Sequence, residues 1–64
     1  MTGMRVEVAS EEIQPSGFGK VYWSGTTMNA RFVDKGLPVK KGEELYIVEV
    51  RGNTLICSRH KSKN

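Results

Sequence analysis

Residues 4–9 alternate: Met4, Val6 and Val8 are apolar, while Arg5 and Glu7 are charged. Period two places successive side chains on opposite faces of an extended chain, so this stretch predicts a half-buried strand. Residues 20–23 repeat the pattern, with Val21 and Trp23 on one face. Ser24-Gly25 makes a tight turn, and residues 26–33 run back with Met28, Ala30 and Phe32 on a common face. The two runs form the clearest hairpin of the chain. Residues 45–50 are rich in β-branched side chains. Leu45 and Ile47 share a parity that Val50 breaks. Either a bulge near Val48-Glu49 shifts the register, or the other face carries Tyr46, Val48 and Val50. After an Arg51-Gly52-Asn53 turn, residues 54–58 form the last strand with Leu55 and Cys57 inward.

Two stretches interrupt this order. Residues 10–19 hold polar residues, Pro15, Gly17 and Gly19 and bend or end the first strand; Asp34, Gly36, Pro38 and Gly42 break residues 34–44. No helical period survives anywhere. Five short strands at this spacing predict an all-β fold, a small five-stranded OB-like (oligonucleotide/oligosaccharide-binding) barrel. Closure also removes the exposed edges of a flat sheet. The predicted interior holds Val21, Trp23, Met28, Ala30, Leu45, Ile47 and Leu55. The chain divides into a barrel over residues 1–58 and a basic, disordered tail over 59–64.

Sixty-four residues allow one domain. Ten Lys and Arg oppose seven Asp and Glu, for a net charge of +3. The excess is Arg59, Lys61 and Lys63, so residues 1–57 are balanced. A short terminal run of cations is a small footprint for a polyanion. One cysteine excludes an internal disulfide, and with one histidine it leaves no zinc set. No apolar run approaches the length of a membrane span, and no signal-peptide pattern is present.

The stretch "PSGFGKVYWSG", residues 15–25, could be a phosphate cradle, a base-stacking strand or a barrel corner. A phosphate loop needs Ser or Thr after its Lys and a helix whose N-terminus faces the anion. Val21 follows Lys20, and strand formers come next. A corner explains the glycines better: they permit positive φ or close backbone approach, and Pro15 fixes the entry. Phe18, Lys20, Tyr22 and Arg31 could stack and neutralise a single strand of nucleic acid if they share an outer face. Glu11-Glu12 and Glu43-Glu44 are sequence neighbours, so each pair splits across an extended chain. They form no acid/base couple. Cys57 reads as a small buried hydrophobe. No catalytic, cofactor-binding or metal-binding set is expected.

The order of these motifs resembles the C-terminal soluble domain of the NfeD family. The resemblance rests on "PSGFGKVYWSGTTMNARF" and "LPVKKGEELYIVEVRGNTLIC" and covers about residues 3–57. A Pro15-Ser16-Gly17 corner leads into the Gly19-Lys20-Val21 strand and the Gly25 turn. Ala30-Arg31 follows on the next strand, then Lys41-Gly42 before a Val-rich strand, and Gly52 with Leu55 at the end. Met28 stands where the family often has Trp, and Cys57 where it often has Val. The resemblance implies an OB-like barrel, non-catalytic and without cofactor. It implies a soluble domain on the cytoplasmic side of the membrane, in a membrane-anchored protein that works with stomatin- or flotillin-like scaffold proteins. Partner contact is expected through Phe18, Lys20, Tyr22, Arg31 and Tyr46. The alternative is a free-standing OB domain that binds single-stranded nucleic acid through the aromatic and basic residues.

Overall fold

The computed structural model describes residues 3–61. Seven strands follow in order: β1 (Arg5–Val8), β2 (Glu12–Ile13), β3 (Phe18–Trp23), β4 (Thr26–Phe32), β5 (Val39–Lys40), β6 (Glu44–Arg51) and β7 (Thr54–Ser58). Five of them close into a barrel in the order β1-β3-β4-β7-β6. Every barrel contact is antiparallel except β4 with β7. The small all-β barrel expected from the alternation is therefore the fold.

The predicted periodicity sets the interior. Val8 pairs with Val21, Val21 with Met28, Ala30 with Leu55, and Cys57 with both Phe32 and Ile47. Paired residues share a face, so these side chains converge on one core. Val6, Val8, Val21, Ala30, Phe32, Leu45, Ile47, Leu55 and Cys57 are all buried. Trp23 and Met28 differ from the expectation. They are half-buried and pack against the core from its margin. The cause is position: Trp23 pairs with Thr26 beside the tight turn, at the end of the β3–β4 hairpin. Met4, the apolar residue before β1, is exposed.

The two interruptions contain strands after all. β2 and β5 pair antiparallel, Glu12 with Lys40 and Ile13 with Val39, as a separate two-stranded ribbon. Ile13 and Val39 are buried in the main core, so the ribbon stoppers the barrel. Gly19 makes room for it. A Cβ on Gly19 would lie 2.5 Å from Ile13 Cγ1 and 2.7 Å from Cδ1. Gly17 is similarly crowded, 2.8 Å from the Gln14 carbonyl oxygen, which accepts its N–H. The corner is thus built on close approach. The left-handed residue in it is Ser16, at φ 61°, and neither Gly17 nor Gly19 has a positive φ.

The register of β6 shifts between Ile47 and Glu49 against β7. Val48 is the extra residue, and Val50 comes to pair with Leu55 on the inner side. Val50 is nevertheless 41% exposed, because it lies at the rim.

Arg59, assigned to a disordered tail by the sequence, is fixed. Its N–H donates to Asp34 Oδ2 at 2.9 Å. Its guanidinium donates to the carbonyls of Leu37 (2.9 Å) and Pro38 (2.8 Å) and lies 3.7 Å from Glu43 Oε1. The same group sits 5.3 Å over the Phe32 ring. Carbonyls left free by the turn-rich 34–38 segment supply its acceptors, and a buried aromatic supplies its floor. His60, next in the expected tail, donates its N–H to Ser58 Oγ at 3.0 Å, and residues 62–64 lie outside the described residues.

Candidate interaction surface

Outward side chains of the barrel alternate with the core residues. On β3 they are Phe18, Lys20 and Tyr22; on β4 they are Arg31, Asn29 and Thr27, in that pairing order. Four of the five residues predicted as a contact surface therefore share one outer face. Tyr46 does not join them. It lies on β6, opposite Arg5 of β1 and Ser58 of β7. Strand order explains this: β1 on one side, and β4 with β7 on the other, separate β6 from β3.

Sequence reasoning missed the continuation of the face. Arg31 pairs with Ile56 of β7, and Ile56 with Glu49 of β6. A second row runs Lys20, Asn29, Thr54, Arg51. The outward parity of Thr54 and Ile56 was legible, but the parallel pairing that sets them beside β4 joins segments far apart in the chain. The rows hold an apolar and a cationic component. Phe18 is 73% exposed and Tyr22 45% exposed. The Arg31 guanidinium lies 5.7 Å over the Phe18 ring. Lys20 Nζ donates to Asn29 Oδ1 at 2.7 Å. Arg51 Nε donates to Glu49 Oε2 at 2.7 Å, and this bond raises the Arg51 pKa further above its ordinary value. Neither Lys20 nor Arg31 has an acidic partner among the described residues.

The chemistry of the remaining residues is plain. Among the described residues there is no enclosed cavity and no group of three His, Cys, Asp or Glu placed to hold a metal ion. No helix among them is long and apolar enough to cross a membrane. Lys20 of the glycine stretch leads into strand, with no helix N-terminus beside it.

Cys57 is buried, and burial pushes its thiol from 9.0 up to about 11. A thiolate is the charged form, so a low-dielectric site disfavours it. Between pH 9 and 11 the unfolded chain loses this proton first. The folded state then binds more protons, and stability falls as pH rises through that window by roughly 2 kcal/mol. Below pH 9 the term is absent. Iodoacetamide at pH 8 is expected to label Cys57 only in the unfolded chain; equal labelling rates in native and denatured protein would contradict the burial.

No protein-family model matches the chain. An uncharacterized protein of Rickettsia prowazekii (strain Madrid E) is 44% identical over all 64 residues. The chain spans 39% of the length of that curated relative. Two solved structures share the barrel. The soluble domain of a membrane protein implicated in regulation of membrane protease activity, from Corynebacterium glutamicum, is 27% identical with a TM-score of 0.73. That match covers 88% of this chain and 86% of the other. The C-terminal domain of stomatin operon partner protein 1510-C from Pyrococcus horikoshii is 31% identical with a TM-score of 0.75. It covers 97% of this chain and 91% of that one. The motif order and the barrel agree with these likenesses: the chain belongs to the NfeD family and has the fold of its C-terminal soluble domain.

Proposed function

We propose that this barrel is a non-catalytic protein-interaction module, the soluble part of a membrane-associated protein whose partner is a stomatin- or flotillin-type membrane scaffold. One observation carries the reading: 31% identity across nearly the whole of a domain from a stomatin operon partner protein. The Corynebacterium neighbour, the soluble domain of a membrane protein, supports a membrane-associated parent. The strand order, with its parallel β4–β7 contact, supports an OB-like barrel, and the cytoplasmic side of the membrane is the compartment where such a partner would be met. The outer face of β3 and β4 supplies the contact residues. A closed barrel leaves no free edge among its five strands, so recognition goes through side chains.

The shared outer face of Phe18, Lys20, Tyr22 and Arg31 also meets the geometric requirement of a single-stranded nucleic-acid platform. Two cations without acidic partners make a weak polyelectrolyte contact, which favours the protein partner. The test immobilises the chain and measures retention of a purified stomatin-type protein encoded beside the parent gene. Saturable retention is the expected result. No retention, together with micromolar binding of single-stranded DNA at physiological salt that is lost in Tyr22→Ala, would replace this reading with the nucleic-acid one.

A further inference from the structure

The Phe18–Arg31–Ile56 row contains a polar group with unmet bonding capacity. Arg31 Nε is buried and has no hydrogen-bond partner among the described residues. Buried donors are nearly always paired, so an orphan one on an outer face has a cause to be found. The guanidinium leans over Phe18, whose ring is mostly exposed. Ile56 lies half-buried on the other side of Arg31. Val33, two residues beyond Arg31 on the same outward parity, is also exposed. Lys20 stands two residues from Phe18 on the same strand face, its ammonium engaged among the described residues only by the neutral Asn29. The acid nearest in the row, Glu49, is committed to Arg51.

We propose that this face docks an acidic segment of a partner protein that also presents an apolar side chain. The proposal takes the identity of the partner from the functional reading above, but the chemistry of the face stands on its own residues. The apolar side chain packs on Phe18, Ile56 and Val33. A carboxylate draws the Arg31 guanidinium outward, accepts from its donors in the forked geometry that arginine favours, and relieves the orphan N–H. Lys20 receives a second carboxylate. Charge complementarity selects this occupant: at its Phe18 end the face has two cations without acidic partners beside an exposed aromatic, and the exposed Glu7 stands at the opposite end, against Tyr22. Nucleic acid, which needs many phosphate contacts for affinity, is the less suited ligand.

The test titrates the isotope-labelled chain with an acetylated peptide of alternating leucine and glutamate and follows amide chemical shifts. Shifts are expected to concentrate at Phe18, Arg31 and Ile56. Phe18→Ser and Arg31→Gln should each weaken binding by about tenfold, as anchors at an interface centre do. Phe18 is so exposed that its replacement leaves the core intact, so the test holds even where Arg31→Gln fails to fold. A matching leucine–serine peptide should bind more weakly, and a leucine–lysine peptide should not compete. Absence of shifts on this face, or equal binding of the lysine peptide, would overturn the proposal. Tighter binding of oligodeoxythymidylate at the same residues, with steep salt dependence, would overturn it in favour of nucleic acid. If the peptide binds here but the stomatin-type protein does not, the face is upheld and only the functional reading falls.

Discussion

Phe32→Ala is expected to unfold the domain or leave it barely folded at ambient temperature. Phe32 is fully buried, opposite Cys57, with Arg59 over its ring. Truncating a buried Phe to Ala costs about 3–5 kcal/mol, the larger values where the cavity cannot collapse. A barrel closed by hydrogen bonds around its whole circumference has little room to contract. A chain of this length holds only about 3–10 kcal/mol in total. The substitution also removes the floor on which the Arg59 guanidinium rests. Urea unfolding checks this: the variant should show a transition midpoint near zero denaturant, and Phe32→Leu should recover much of the loss. A Phe32→Ala midpoint equal to that of the parent would mean that Phe32 is not a core residue.

Gly19→Ala is the second large effect, and it tests the corner. The new methyl would collide with Ile13, itself buried, so neither partner can swing into solvent. Overpacking of this kind costs about 1–3 kcal/mol. The loss should be coupled to Ile13. In a double-mutant cycle with Ile13→Ala, the double variant should be less destabilised than the sum of the two singles. Additive losses in thermal or urea melts would show that the two residues do not press on each other.

The parts of the fold that were legible are those with repeated alternation. Val6 and Val8, the β3–β4 hairpin, and Leu45 with Ile47 each offered several residues of one parity, and their cross-strand pairing closes the core. The bulge was also legible as a parity conflict, because Val50 falls out of step with Ile47. Ile13 and Val39 were not legible. A two-residue strand has no period, and each sits amid turn formers that signal loop. At the corner before β3, Ser16 rather than Gly17 or Gly19 takes the left-handed conformation, a choice that composition does not reveal. Arg59 looked like one more tail cation because its acceptors, the carbonyls of Leu37 and Pro38, come from backbone more than 20 residues upstream. On the candidate face, parity found Phe18, Lys20, Tyr22 and Arg31. It placed Tyr46 outward without saying on which side of a closed cylinder. Ile56 joined the row only through the parallel contact, which no local pattern encodes.

That parallel contact also governs when the barrel can form during synthesis. β1, β3 and β4 make a meander that emerges first and leaves two open edges, on β1 and on β4. The β6–β7 hairpin fills the gap, with β6 bonding to β1 and β7 to β4. Asn29 therefore waits for Thr54, and Phe32 for Cys57. Closure is deferred until the last strand has left the ribosome, and long-range pairing of this kind is slow to nucleate. In that interval the half-built sheet exposes unpaired backbone to its neighbours. Gly52, at φ 59°, makes the turn that joins the two closing strands, β6 and β7.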